Sequence, residues 1–394
     1  MNKNILNTEV QEFINQNLDK DVSSLLLKGI SLDGVSTKEV VTQIEAKNKA
    51  KKKLPTWYET EGIYYPNKLN IEQTSSEITA KYKASLVSGK KIIDATGGFG
   101  VDSYHFSNSF EEVYHCEINS DLSEIANHNF KALKKGNIHS KAEDGIVFIE
   151  NSKETFDCIF VDPSRRDSTK NKVFLLQDCA PNMRLVLPTL FKKAKTILVK
   201  TSPLLDLSKG IEELNKVAEI HIVAVNNEVK ELLWLLKSNT LQRTIIKTIN
   251  ISKSNKEVFE FEMNDESSSV ANFSAPLDFL YEPNAAILKS GGFNIIADKL
   301  NLSKLHPNTH LYTSNELVAD FPGRLFIIKN ILSYNKKELK KVLTNNKANI
   351  TTRNFPETVA QIRKKTKIQD GGNTYLFFCT NHRNDKIVLH CEKA

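Results

Sequence analysis

The stretch Lys91-Ile92-Ile93-Asp94-Ala95-Thr96-Gly97-Gly98-Phe99-Gly100 decides the fold of this chain. Ile92 and Ile93 indicate the end of a buried strand, and the glycines turn the chain into a helix that opens with Val101 and Asp102. Glycine lets a backbone approach a ligand closely, and the first turn of a helix offers unpaired N–H groups. This order predicts a cofactor-binding corner, although a tight turn that binds nothing has the same pattern.

The bulk composition is that of a folded protein with more than one domain. The chain has 394 residues, 40% of them hydrophobic and 26% charged, which excludes a disordered chain. The net charge of +7 favours a polyanionic partner without proving one. The five cysteines lack C-x-x-C spacing and the histidines form no metal-binding motif, so we expect a reduced, cytoplasmic protein without a metal. No stretch approaches 18 apolar residues, so we expect neither a signal peptide nor a transmembrane helix.

The order of periodic segments predicts four regions. Apolar residues at three- and four-residue spacing predict a helical region over 1–70, and a further helix over 70–88 with Thr74 or Ser75 as its N-cap. Strands alternate with helices over 71–240, one helix covering 171–192, which predicts a doubly wound, mostly parallel α/β sheet. Residues 241–330 and 331–394 mix strands and helices as two α+β regions. The strands predicted for the parallel sheet are 91–95, 112–117, 137–141, 156–162, 196–200 and 219–225.

Polar residues follow the glycine corner at the spacing that a nucleoside cofactor requires. Glu117 ends the second strand about 20 residues beyond the corner, where an acid accepts hydrogen bonds from both ribose hydroxyls. Glu143 and Asp144 follow the third strand and can meet an adenine edge, and Asp162 follows the fourth. Ligands of such sheets bind outside the carboxyl ends of the strands. The predicted cofactor-binding residues are Asp94, Ala95, Thr96, Gly97, Gly98, Gly100, Asp102, Glu117, Ile118, Glu143, Asp144 and Asp162.

A short connection determines the direction of the last strand. Only residues 226–228 separate the sixth strand from a seventh over 229–236, which is too few for a parallel crossover. A seven-stranded sheet whose last strand is antiparallel is typical of class I S-adenosylmethionine-dependent methyltransferases, which residues 90–240 resemble through the loop 94–100 and the turn 162–165. A dehydrogenase is the alternative, but its G-x-G-x-x-G motif matches only in part, because Ser103 replaces the last glycine.

The C-terminal part resembles the THUMP-like domain that follows such a catalytic domain in a bacterial family. The matching segments are 350–356 and 371–377. The resemblance implies S-adenosylmethionine as the cofactor, a ferredoxin-like region over 241–330, a THUMP-like domain over 331–394, and structured RNA, tRNA or rRNA, as the partner. Arg353, Arg363 and Lys364 are candidates for contacts with RNA phosphates, although such a basic run is also typical of a solvated helix face.

The predicted catalytic segment is Asp162-Pro163-Ser164-Arg165. Amino-methylating enzymes usually carry Asp or Asn, two prolines and an aromatic residue at this turn, whereas Ser164 and Arg165 replace the last two here. Similar Asp-Pro-Pro-Arg turns occur in tRNA guanine N1 and uracil C5 methyltransferases. Methylation of uracil C5 needs a cysteine nucleophile that attacks C6 of the base, and neither Cys158 nor Cys179 is well placed, which favours methylation of a base nitrogen.

In the predicted mechanism, Asp162 binds or deprotonates the target nitrogen. Arg165 and Arg166 then bind a phosphate or a carbonyl edge, or alternatively pair with Asp167 or Asp178, and Lys200 is a weaker candidate for substrate binding.

Three further interpretations stay open at this point. The lysine run 47–53 beside Trp57 and Tyr58 suits either a phosphate-binding and stacking surface or a helix end with buried aromatic residues. The enzyme could instead methylate a protein or a small molecule. A protein that binds RNA and keeps a relic cofactor pocket is the non-enzymatic alternative.

Overall fold

The computed structural model describes residues 1–165, 176–239, 243–343 and 345–394. The chain divides into two compact units, Met1–Glu219 with Glu231–Gln242 and Ile220–Lys230 with Arg243–Ala394. The first unit therefore contains both the N-terminal helices and most of the strands that the sequence places in the parallel sheet. Among the described residues, no helix is both long and apolar enough to cross a bilayer.

The N-terminal helices share one hydrophobic core with the glycine corner. Ile44 and Trp57 are fully buried in a cluster that also contains Phe99, Val101 and Leu122. The interpretation of Trp57 as an exposed stacking residue is therefore wrong: its indole packs edge-on against Tyr104, at 4.7 Å between ring centroids. After a 3₁₀ turn at Lys3–Leu6, the helices are α1 (Thr8–Gln16), α2 (Val22–Lys28), α3 (Thr37–Lys53), α4 (Pro55–Glu59), α5 (Lys68–Gln73) and α6 (Glu77–Ala84).

The single helix predicted over 70–88 is wrong, because α5 and α6 are separate helices. Thr74 caps the end of α5, and Ser76 rather than Thr74 or Ser75 begins α6 by accepting a hydrogen bond from the backbone N–H of Thr79. A serine N-cap has extended backbone angles, so it cannot continue the preceding helix. The break leaves Thr74 and Ser75 between two helix ends.

The predicted α/β alternation is confirmed. Among the described residues of the first unit the strand order is β9-β7-β4-β1-β2-β3, with β9 antiparallel to β7 as predicted, and in the second unit the neighbouring strands follow the order β11-β10-β8. Asn226 and Asn227 have positive φ angles, which suits the tight turn between β8 and β9. The elements are β1 (Gly89–Asp94), α7 (Val101–Phe106), β2 (Phe110–Cys116), α8 (Ser120–Ala132), β3 (Ile138–Lys141), α9 (Gly145–Asn151), β4 (Phe156–Val161), β5 (Ser164–Arg165), β6 (Cys179–Ala180), α10 (Met183–Lys193), β7 (Ala194–Thr201), α11 (Leu207–Leu214), β8 (Val217–Val225), β9 (Glu228–Lys237), β10 (Ile245–Ile251) and β11 (Lys256–Glu262).

The helix predicted over 171–192 is wrong over residues 176–182. Residues 166–175 lie outside the described residues, a 3₁₀ turn covers Leu176–Asp178, and β6 pairs with β5. Only Met183–Lys193 is α-helical. Pro181 explains this start, because proline disfavours the helical conformation for the residue before it and lacks an N–H.

The second unit contains a seven-stranded sheet among its described residues, in the order β13-β14-β12-β15-β18-β17-β16. Its last helix begins at Val359, because Thr358 and Gln361 form a capping box. The elements are α12 (Asp265–Ser268), β12 (Phe279–Pro283), α13 (Ala285–Ser290), α14 (Ile295–Lys299), β13 (Ser303–Lys304), β14 (Tyr312–Ser314), β15 (Gly323–Ser333), α15 (Lys336–Val342), β16 (Asn349–Arg353), α16 (Val359–Thr366), β17 (Tyr375–Thr380) and β18 (Lys386–Lys393).

Candidate active site

A cavity of about 450 Å³ lies beyond the carboxyl ends of β1, β2 and β4 in the first unit. We call it the acidic cavity, because four carboxylate residues line it. Of the predicted cofactor-binding and catalytic residues whose side chains the structure describes, Asp94, Gly100, Pro163 and Glu143 are not in its wall. The predicted residues that line the cavity are Ala95, Thr96, Gly97, Gly98, Asp102, Glu117, Ile118, Asp144, Asp162 and Ser164.

Steric contacts explain two of the glycines in the corner. A Cβ on Gly97 would lie 2.3 Å from Nε2 of His115, which is buried beneath the loop. Gly100 caps α7 in the left-handed conformation at φ +85°, and a Cβ there would lie 2.4 Å from the ring of Phe130. A side chain at either position would push the loop away from the sheet, so the close approach of the backbone to the cavity requires glycine.

Asp94 supports the loop from below. Its buried carboxylate accepts hydrogen bonds from the Thr96 N–H at 3.1 Å and the Ser103 hydroxyl at 2.7 Å. Burial, reinforced by the neighbouring carboxylates of Asp102 and Asp162, raises the pKa of Asp94 to about 7. Asp94 therefore shapes the loop and changes its protonation state near neutral pH.

Glu117 connects the second strand to the loop. Its carboxylate accepts hydrogen bonds from the backbone N–H groups of Gly98 and Asn119, both at 2.8 Å. The next residue, Ile118, has 73% of its surface exposed although it is large and apolar. A carboxylate beside an exposed apolar side chain suits a ribose and the planar base attached to it.

Asp144 and Glu143 differ although they are adjacent. Asp144 is the N-cap of α9 and accepts hydrogen bonds from the N–H groups of Ile146 and Val147, whereas Glu143 is exposed. Gly145 must be glycine, because a Cβ there would lie 2.3 Å from the carbonyl oxygen of Ala95. The Asp-Gly pair at a helix start is the sequence signal that could have added Gly145 to the predicted site.

Asp162 lies at the end of β4 with its backbone and side chain both held. Its N–H donates to the hydroxyl of Thr96 at 2.7 Å, and its Oδ2 pairs with Nζ of Lys200, which is on β7. Desolvation lowers the pKa of Lys200, but the carboxylates of Asp162 and Glu231 outweigh it and raise the pKa above its ordinary value. Lys200 is therefore a charged partner of Asp162. The sequence indicated Lys200 only as a weaker candidate for substrate binding.

One wall of the acidic cavity comes from residues that sequence reasoning missed. The segment between α5 and α6 contributes Thr74 and Ser75, whose neighbours gave no motif to signal a site. The hydroxyl of Ser75 donates to Asp102 at 2.7 Å. Further lining residues outside the prediction are Asn70, Gln73, Phe99, Val101, Cys116, Leu122, Gly145, Ile146, Ala180 and Pro181.

Behind this wall, the fully buried Lys83 joins the carboxylates of Asp102 and Glu231. Its ammonium is 2.9 and 3.0 Å from the two oxygens of Glu231, 3.1 Å from Asp102 and 2.9 Å from the Ser75 hydroxyl. A buried ammonium needs such partners, because desolvation of an unpaired charge costs several kcal/mol. The network thereby ties α6, α7 and β9 together beneath the cavity.

Of the predicted substrate-binding arginines, two are paired inside the second unit. Arg353 contacts Glu282 at 3.0 Å, and Glu282 also binds Arg324. Arg363 donates to the carbonyl oxygens of Ile368 and Ala348 and pairs with Asp370. These guanidinium groups stabilise the second unit, which makes a contact with RNA phosphates less favourable than the sequence indicated.

The remaining residues predicted to bind the substrate are Arg165, Arg166 and Lys364. Lys364 is exposed on α16. Arg165 lies in β5, and the placement of its side chain, like all of Arg166, is outside what the structure describes. Over the described ranges, no group of three or more His, Cys, Asp or Glu residues could hold a metal ion.

Comparison with known proteins shows to which family the chain belongs. A family model described as a ferredoxin-like domain matches residues 279–322, and one described as THUMP domain-like matches residues 323–393. The crystal structure of a protein from Porphyromonas gingivalis W83, assigned as a methyltransferase, superposes with a TM-score of 0.89 at 31% identity, over 100% of this chain and 98% of that one. The chain belongs to this family of class I methyltransferases with a THUMP-like domain. The resemblance inferred from the loop 94–100 and the C-terminal segments is thereby confirmed.

More distant structures are similar to part of this methyltransferase-family chain. An rRNA methylase from Streptococcus thermophilus matches at 13% identity and a TM-score of 0.31, over 42% of this chain and 98% of that one. A tRNA methyltransferase from M. jannaschii matches at 16% identity and a TM-score of 0.31, over 43% and 51%. No curated protein matches this chain.

Proposed function

We propose that this methyltransferase transfers a methyl group from S-adenosylmethionine to a base nitrogen in structured RNA, tRNA or rRNA. When bound, this cofactor supplies a methyl group on a positively charged sulfonium. The observation that carries the proposal is the charge of the acidic cavity.

The lining of the acidic cavity suits a cationic nucleoside. Asp102, Glu117, Asp144 and Asp162 line it, and none of its described lining residues is lysine or arginine. S-adenosylmethionine carries a sulfonium, an ammonium and one carboxylate, so carboxylate walls attract it. A dinucleotide carries two phosphates, which the same walls repel. The charge therefore supports the methyl donor against the dehydrogenase alternative.

The predicted residues that line the cavity would hold this donor. Glu117 beside Ile118 would bind the ribose and cover the base, and Asp144 would meet the adenine edge. The loop 95–100 would bind the methionine part with its backbone, and Asp102 its ammonium. Asp162 would then meet the acceptor nitrogen, so that catalysis rests mainly on positioning.

The second unit suits a polyanion. Residues 331–370 contain ten lysines and arginines against three acidic residues, a formal charge of +7 that equals the charge of the whole chain. Leu339 of α15 and Ile362 of α16 are buried in one cluster with Leu376 and Phe378, so both helices pack on the same face of the sheet. Their outward side chains form what we call the lysine face, which consists of Lys336, Lys337, Lys340, Lys341 and Lys364, all exposed.

Calorimetry and a transfer assay test the proposal. We expect S-adenosylmethionine to bind and NAD not to bind, and we expect label from methyl-labelled S-adenosylmethionine to enter total RNA from a strain that lacks the protein. Treatment of the product with nuclease should release the label. Binding of NAD in place of S-adenosylmethionine would contradict the proposal, and so would label that remains on protein after nuclease treatment.

A further inference from the structure

We propose that Asp162 and Lys200 together recognise a lactam edge, the adjacent N–H and C=O groups of guanine or uracil, and that the methylated atom is the nitrogen of that N–H. This inference rests on the proposed function and names its target more closely. It makes Lys200 a catalytic residue that contacts the substrate carbonyl oxygen.

The pair presents one acceptor and one donor beside each other. Among the residues that the structure describes, Lys200 contacts Asp162 through Oδ2, which leaves Oδ1 for an N–H of the substrate. An ammonium carries three N–H groups, so Lys200 can donate to Asp162 and to a second acceptor. About a third of the Asp162 side chain and a sixth of the Lys200 side chain are exposed, at 32% and 17%. Both side chains are therefore partly exposed, while the backbone N–H of Asp162 is held by the hydroxyl of Thr96.

A lactam has the complementary pattern. Its N–H donates to Asp162, and its carbonyl oxygen accepts from Lys200. Two charge-assisted hydrogen bonds to adjacent atoms orient a planar base in one way. An unpaired carboxylate would suffice to hold an exocyclic amine, whereas the lysine beside it adds a donor that suits an oxygen next to the target nitrogen.

The chemistry of a lactam nitrogen explains why a cation is useful. This nitrogen has no available lone pair until its proton leaves, and the resulting anion shares its charge with the carbonyl oxygen. Asp162 takes the proton, and Lys200 stabilises the charge on the oxygen, as donors of an oxyanion hole do. The nitrogen lone pair then forms the N–C bond to the methyl group while the C–S bond breaks and its electron pair goes to sulfur. Because the carbonyl oxygen is hydrogen-bonded to Lys200, the nitrogen rather than the oxygen attacks the methyl group.

The surroundings keep Lys200 charged. Besides Asp162, the carboxylates of Glu231 on β9 and Asp102 on α7 act on it, while Lys83 partly neutralises both. Carboxylates of the protein thus balance the charge of Lys200, so this lysine stays ionised whether or not the substrate is bound.

The identity of the methylated nucleoside is the first test. RNA from a strain that lacks the protein is incubated with the wild-type enzyme and S-adenosylmethionine, and its nucleosides are analysed by mass spectrometry. We expect N1-methylguanosine or N3-methyluridine to appear, and we expect the same nucleoside to be missing at the methylated position in the RNA of this strain before the incubation. Methylation of an exocyclic amine, a ring nitrogen without hydrogen or a carbon would overturn the inference and leave the proposed function intact. No methylation of RNA would overturn both.

The second test uses Lys200 itself. We expect Lys200→Met to lower kcat at least about 100-fold with little change in the affinity for S-adenosylmethionine, and Lys200→Arg to recover most of the rate, because it restores a cationic donor. The rate of Lys200→Met should also rise about tenfold per pH unit to higher pH than in the wild type, because the N–H is no longer acidified. Lys195→Met, an exposed lysine on the same strand, is the matched control. A wild-type rate and pH profile in Lys200→Met would overturn the inference.

Discussion

The acidic cavity of the first unit and the lysine face of the second unit carry opposite charges. The charges of the cavity lie in a recess of the protein, whereas those of the lysine face are exposed to solvent. Three of the four carboxylates that line the cavity, those of Asp102, Glu117 and Asp162, are buried or half-buried. Asp102 and Asp162 have cationic partners from the protein itself, Lys83 and Lys200. The lysine face has five exposed lysines on two helices. Charge buried in a cavity acts on a small ligand at close range, whereas exposed charge acts on a large polyanion and is screened by salt. The two regions therefore suit a small cation and a nucleic acid, respectively.

The largest expected effect concerns Asp162, where the cavity meets the acceptor. We expect Asp162→Asn to slow methyl transfer about 10³-fold, because the amide cannot accept a proton, while the affinity for S-adenosylmethionine changes little. Single-turnover transfer and calorimetry on the same preparation measure the two quantities. The exposed Asp121→Asn is the control. Transfer at the wild-type rate would remove Asp162 from the mechanism.

Lys83→Met tests whether the cavity wall depends on its buried cation. The variant leaves Glu231 and Asp102 without their partner, and we expect the free energy of unfolding to fall by about 3 kcal/mol. Urea unfolding followed by far-UV circular dichroism measures it. Substitution of Lys81, which is mostly exposed and pairs with Glu77 at 3.8 Å, should change stability by less than about 1 kcal/mol. Equal effects of the two substitutions would contradict the structural role of the network.

Asp94→Asn gives an effect that depends on pH. Because the pKa of Asp94 is about 7 in the folded protein, well above its ordinary value of 3.8, the folded state keeps a proton that the unfolded chain has lost. Stability therefore falls as pH rises from about 4 to about 7, and asparagine removes this loss. We expect the stability of Asp94→Asn relative to wild type to increase by roughly 2 kcal/mol from pH 5 to pH 8. A difference that does not change with pH would show that Asp94 is ionised throughout.

The lysine face should give the smallest effect, and one that salt reduces. We expect replacement of its lysines by glutamine to weaken binding to total tRNA roughly tenfold at 0.15 M salt, and to lower the slope of log K against log salt by up to about one unit for each phosphate that is no longer bound. Filter binding over a series of salt concentrations measures both. The control replaces four exposed lysines of the first unit, Lys20, Lys38, Lys131 and Lys153. An equal weakening in the control would assign RNA binding to charge in general rather than to this face.

Site residues whose spacing follows from the order of strands and helices were predictable from the sequence. Site residues that only tertiary packing brings to the cavity were less predictable. The spacing from the glycine corner to Glu117, Asp144 and Asp162 follows from the α/β order, because strand ends of a parallel sheet share one edge. Thr74 and Ser75 have no such regularity, since a helix break that no motif marks brings them to the cavity. Glu143 and Asp144 were equivalent in the sequence, and only the start of α9 separates the N-cap from its exposed neighbour.

Charge was the property that the sequence described least well. Arg353 and Arg363 looked like a basic surface, but each lies within reach of a carboxylate from another part of the chain, Glu282 and Asp370. Lys200 also has a carboxylate partner from another part of the chain, Asp162, which is 38 residues away, but its side chain stays partly exposed. A charge is available to a ligand or committed to the protein according to its nearest neighbours, and these are set by tertiary packing.

The sequence by itself determined the doubly wound sheet, its antiparallel strand β9 and the glycine corner, because these depend on local periodicity, connection length and the absence of a Cβ. Only the tertiary structure decided which charges are paired, which helix break completes the cavity and which lysines share one face, because those outcomes depend on distances between residues that are far apart in the chain.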